Sequence, residues 1–133
     1  MALKTVYGLV KYNPNPKEKK TSDGVIRALC RVTGEDWDSI YLNLLKLGFE
    51  LKVMPTDSVV WKKYLDGKGF VYHSIPVEKG VKRPKVETFL REHPTGTYIL
   101  RVAGTILACV NGHYYTMYDY NDSAIYGYYE KIY

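Results

Sequence analysis

The stretch "TYILRVAGTILACVNGHYYTMYDY", residues 97–120, decides the fold class. Its composition has the character of strands, and it divides into "TYILRVAG", "TILACV" and "HYYTMYDY". Asn111-Gly112 sits between the second and third pieces. That dipeptide is a strong hairpin signal, because both residues accept the positive φ of a type I′ turn. A fourth strand is expected in "AIYGYYEKIY", residues 124–133. Strands gathered at the C-terminal end predict an antiparallel sheet.

Upstream, the pattern is mainly helical. Thr21, Ser22 and Asp23 can each cap a helix, so one is predicted to start near Gly24 and to stop at Gly34. "DWDSIYLNLLKLG", residues 36–48, places Trp37, Ile40, Tyr41, Leu44 and Leu47 on one stripe, with Gly48 as the stop. A third helix is expected after Asp57, turning Val60, Trp61, Tyr64 and Leu65 inward. "RPKVETFLREHP", residues 83–94, predicts a short fourth helix with Pro84 in its first turn and Pro94 as the breaker. Two further strands are expected, in "TVYGLVKY" at 5–12 and "GFVYHSI" at 69–75, with "NPNP" at 13–16 ending the first. The result is an α+β domain in which N-terminal helices pack on a C-terminal antiparallel sheet.

One domain accounts for all 133 residues. Hydrophobic residues make up 46% and charged residues 25%, the balance of a globular chain. No apolar run approaches the roughly 20 residues that span a bilayer. The stretch from Met1 to Tyr7 lacks the apolar segment of a signal peptide, so a cytoplasmic location is expected. In that reducing compartment Cys30 and Cys109 are expected as buried free thiols. His73, His93 and His113 lie apart from one another and from both thiols, so neither a metal nor a cofactor is expected.

The net charge of +5 is partly local: Lys11, Lys17, Lys19 and Lys20 form one group, and Lys79, Lys82, Arg83 and Lys85 another. Such groups suit a nucleotide, a nucleic acid or an acidic protein, and equally a solvated surface. No nucleic-acid reader motif accompanies them, which argues against long nucleic acid. Eight of the 14 tyrosines fall between Tyr114 and Tyr133. Tyrosine joins a flat apolar face to a hydrogen-bonding tip, which suits base stacking and protein interfaces as well as strand packing.

The start of the Gly24 helix raises a chemical question. A helix N-terminus offers unpaired N–H groups and partial positive charge. These lower a thiol's pKa and stabilise an oxyanion, so the first turn is a good seat for a catalytic cysteine. The imidazole base it needs would sit at the start of a strand packed against that helix.

"NPNPKEKKTSDGVIRALCRVTGEDWDSIY" (13–41), "MPTDSVVWKKYL" (54–65), "EHPTGTYIL" (92–100) and "GTILACVNGHYYTMYD" (104–119) follow one another in an order that carries a resemblance. From Tyr12 to about Asp122 the chain resembles small papain-like cysteine peptidase-fold proteins of phages and Gram-positive bacteria. The resemblance implies a papain-like fold and a phage origin. It puts the family's cysteine on Gly24, its histidine on Thr105 and its orienting carboxylate on Asp119, with Thr116 at another position where Asp is frequent. Glycine is no nucleophile and threonine no base near neutral pH, so the implied protein is a pseudoenzyme. Cys30, six positions along the helix and about 240° round, faces elsewhere. Cys109, four strand residues from Thr105, lies roughly 13 Å away.

Such a protein would bind rather than cut. The candidate ligand site comprises Lys20, Ser22, Asp23, Gly24, Arg27, Thr105, Tyr118 and Asp119. Lys20 and Arg27 are its cations, and Tyr118 offers a stacking surface. The expected partner is an anionic, nucleotide-like small molecule such as a host immune signal. Inhibition of a host defence protein is the alternative, and a peptidase or amidase with a displaced nucleophile is the third.

Overall fold

The computed structural model describes residues 6–76 and 78–132. Among these, four helices and a six-stranded mixed sheet make an α+β domain. In chain order they are β1 (Leu9–Lys11), α1 (Gly24–Thr33), α2 (Trp37–Leu51), α3 (Ser58–Asp66), β2 (Phe70–Ser74), α4 (Val86–Glu92), β3 (Thr97–Val102), β4 (Thr105–Val110), β5 (His113–Thr116) and β6 (Gly127–Lys131).

The β3–β4–β5 meander forms the centre as its sequence predicts. Asn111 and Gly112 adopt φ of 49° and 78°, so the Asn-Gly turn joins β4 to β5 and pairs Val110 with His113. The full order is β1-β5-β4-β3-β6-β2. The expected antiparallel sheet needs one correction, because β1 runs parallel to β5, with Leu9 opposite Tyr114. Neighbours joined by a hairpin must be antiparallel, whereas β1 reaches β5 through almost the whole chain and is free of that constraint.

Helices cover both faces, a second departure from the expected arrangement. Residues of α1, α2 and α3, among them Leu29, Ile40, Leu44 and Trp61, pack with Ile99, Ile106, Ala108 and Tyr129 of the sheet. Val86, Phe89 and Leu90 of α4 pack on the reverse face with Leu100, Leu107, Cys109 and Tyr114. Double coverage explains why residues 98–100 and 106–109 are apolar and buried without a break.

The helix ends follow their capping chemistry with exceptions. Asp36 and Asp57 cap α2 and α3, accepting from Ser39 N and Val59 N. Gly34 closes α1 in the left-handed conformation, at φ 76°. Gly48 does not stop α2, which continues to Leu51. A β-carbon there would meet Val53 O at 3.0 Å and Pro55 Cα at 3.1 Å, so this glycine admits the returning backbone. Tyr41 lies outside the apolar stripe, 42% exposed and stacked on Trp37. Pro84 precedes the α4 cap residue Lys85 and so lies outside the first turn.

Candidate functional site

The loop from Tyr12 to α1 is shaped by its own asparagines. Asn13 Oδ1 accepts from Asn15 N, and Asn15 Oδ1 accepts from Lys17 N. Side chains that mimic backbone turns in this way fix the approach to the helix. Asp23 then occupies the N-cap position of α1 but makes no capping bond. Its carboxylate is buried, accepting from Arg27 Nη2 at 2.7 Å and Trp37 Nε1 at 2.9 Å. Asp23 therefore ties α1 to the start of α2. Without a side-chain acceptor, the first N–H groups of α1 keep their partial positive charge.

Facing this helix end is the beginning of β4. A β-carbon built on Gly24 would stand 2.5 Å from Thr105 Oγ1, 3.7 Å from Thr105 Cβ and 3.9 Å from Arg27 Nη1. Gly24 and Thr105 are thus direct neighbours, as the sequence reading requires. The threonine hydroxyl occupies the space that a side chain at 24 would need, so each residue fits the other.

An open cleft of about 700 Å³ lies over this contact. Lys20, Ser22, Gly24, Arg27, Thr105 and Tyr118 of the sequence-derived set line it, together with Thr21, Val25, Thr56, Gly104 and Tyr120. Tyr118 is 56% exposed. Its loop is anchored where Tyr120 N donates to the buried Tyr114 hydroxyl at 3.0 Å and Lys11 Nζ donates to Met117 O at 3.1 Å. The lining offers hydroxyls, backbone donors and an exposed lysine, a chemistry suited to anions and hydrogen-bonding groups.

Three expected site residues are placed differently. Arg27 is buried, paired with Asp23 and 3.5 Å from Thr116 Oγ1, so its charge is compensated within the fold. Its Nε has no hydrogen-bond partner. The Asp23 side chain is turned away from the cleft into that ion pair. Asp119 does not line the cleft. It is exposed and shapes its own turn, accepting from Asn121 N at 2.9 Å and from the Tyr114 hydroxyl at 3.4 Å.

Arg101 was not singled out in the sequence. It lines a smaller adjoining cavity with Trp61 and with Thr105 itself. The available signal was one cation interrupting the apolar run of "TYILRVAG".

Both cysteines are buried and free. Burial pushes the Cys30 thiol up to about 12, with the carboxylates of Asp36, Asp23 and Glu35 adding to it. Burial alone pushes Cys109 up to about 12. Thiols in this range carry almost no thiolate at neutral pH. Both should therefore react with iodoacetamide at least a hundredfold more slowly in the folded chain than in urea, followed by mass spectrometry. Rapid native labelling of Cys30 would contradict its assignment to the core.

Among the described residues no group of His, Cys, Asp and Glu could hold a metal ion, and no helix is long and apolar enough to cross a membrane. His93 caps α4 and stacks on Phe89, His113 lies exposed at the Asn-Gly turn, and His73 pairs with Glu130 at 3.1 Å. Comparison of the chain with protein-family models, curated proteins and solved structures finds no match.

Proposed function

We propose that this chain is a catalytically inactive, papain-like binding protein that captures an anionic, nucleotide-type ligand in the cleft at the start of α1. The contact between Gly24 and Thr105 carries the reading. The helix end has the donors of an oxyanion site, yet the residue on it has no side chain and its neighbour is a hydroxyl. A side chain restored at 24 would strike Thr105 in its present rotamer, so the pair favours a settled binding surface over a recently damaged active site.

The buried thiols count against the reading in which Cys30 or Cys109 replaces the nucleophile. The family resemblance suggests a phage protein, and the ligand would then be a host signal whose capture counters defence. Tyr118 and Tyr126, 56% and 39% exposed, favour inhibition of a host protein as the second reading, since exposed tyrosine suits protein interfaces.

The test is direct. The purified protein is incubated with extract from infected cells, washed and denatured, and the released small molecules are analysed by mass spectrometry. Enrichment of a nucleotide is expected. Calorimetry should then show that Lys20→Gln and added salt each weaken its binding, because part of the attraction is screened. If no nucleotide is enriched and a panel of cyclic and linear nucleotides gives no heat at millimolar concentration, the ligand assignment is wrong. A stoichiometric host protein in the washed fraction would then establish the second reading.

A further inference from the structure

We propose that the cleft continues into a second anion subsite at Arg101, so that its ligand carries two phosphates held at two places. This inference rests on the reading of the cleft as a nucleotide site and specifies its ligand.

The cavity beside Arg101 measures about 260 Å³ and shares Val25, Thr56, Gly104 and Thr105 with the larger one. The two spaces therefore have a common wall, and a ligand seated against Thr105 reaches both. The electrostatics of the two ends differ. At the α1 end the guanidinium of Arg27 is neutralised by Asp23, leaving helix N–H groups and the exposed Lys20 as the anion's partners. At the other end Arg101 is only half-buried, and no carboxylate among the described residues pairs with it.

Arg101 is nevertheless held in place. Its Nη1 donates to the Tyr72 hydroxyl at 3.1 Å, and the guanidinium carbon lies 5.9 Å from the Trp61 ring and 5.8 Å from the Tyr72 ring. A guanidinium has five N–H donors, and this one spends a single observed bond on a neutral partner. The rest match a phosphate, which arginine recognises with two parallel hydrogen bonds. Tyr72 acts as a positioning residue. Two phosphates held in separate spaces that share Thr105, with a base stacked on Tyr118, call for a ribose between the phosphates, as in a dinucleotide, rather than the directly linked phosphates of a nucleoside diphosphate.

The probes are AMP, with one phosphate, and the 5′-phosphorylated dinucleotide pApA, with two, titrated by calorimetry. The wild-type chain should bind pApA at least tenfold more tightly than AMP. Arg101→Gln should weaken pApA about tenfold or more, the scale of a hydrogen bond to a charged group, and weaken AMP by a smaller factor. Tyr72→Phe, which keeps the ring but frees the guanidinium, should give a smaller loss in the same direction. Circular dichroism of each variant checks the fold.

If Arg101→Gln and Tyr72→Phe both leave the pApA affinity unchanged while Lys20→Gln weakens both probes, the subsite is refuted and the cleft reading stands. If neither probe nor any nucleotide of the wider panel binds the wild-type chain, the cleft reading fails and the subsite with it.

Discussion

Replacing Arg27 by Met is expected to remove about 3–5 kcal/mol of folding stability at neutral pH, the cost of leaving a buried charge without its partner. The Arg27 and Asp23 side chains are 6% and 3% exposed, so water screens little of the loss. After the substitution the Asp23 carboxylate keeps only the indole N–H of Trp37. The double variant Asp23→Asn/Arg27→Met should recover most of the stability. It removes both charges while an amide oxygen still accepts from Trp37, and a buried pair replaced as a unit is often nearly neutral. Urea unfolding of the wild-type chain, the single variants Arg27→Met and Asp23→Asn, and the double variant gives the coupling energy directly. A loss below about 1 kcal/mol for Arg27→Met would mean that the pair behaves as an exposed one. The expected size also separates Arg27 from Lys20. A binding defect in an Arg27 variant would report on the fold, whereas Lys20 lies at the surface and would report on the proposed ligand.

This pair marks where the sequence could be read and where it could not. The bounds of α1 were legible because polar capping residues precede it and Gly34 follows, signals that act within a few residues. Which of Thr21, Ser22 and Asp23 caps was not, because Trp37 and Arg27 compete for the Asp23 carboxylate and win it by burial. Gly48 shows the same limit. A glycine after an apolar stripe reads as a stop, but only the packed backbone at 53–55 reveals that it is a point of close approach. The β4–β5 hairpin was legible from Asn-Gly, whereas the parallel partner of β1 depends on a pairing roughly 100 residues away. In the site, Lys20, Ser22, Gly24, Thr105 and Tyr118 converge on one cleft. Asp119 does not line it, and its Oδ1 is held in a local turn, while Arg101 becomes visible only when β3 and the helices close over one wall.

The contact at the centre of the cleft yields the second large effect. Gly24→Cys/Thr105→Cys is expected to form a disulfide on mild oxidation. A β-carbon built on Gly24 would stand 3.7 Å from that of Thr105, close to the mean separation of about 3.8 Å in disulfides. Replacing threonine by cysteine also removes the Oγ1 that obstructs a side chain at 24. The bond would close a loop of about 80 residues and, by the chain-entropy relation, stabilise the fold by up to about 4–5 kcal/mol relative to the reduced form. Thiol titration in denaturant should find two free thiols per oxidised chain, the native Cys30 and Cys109, and four after reduction. Thermal unfolding should move several degrees higher on oxidation. Four titratable thiols after oxidation would mean that α1 and β4 do not meet as described. The same bond lies across the cleft wall shared by the two cavities. The double variant should therefore show weaker binding of the proposed nucleotide ligand when oxidised than when reduced, with its lysines and arginines the same in both states. A ligand held elsewhere on the surface would be indifferent to the redox state of this contact.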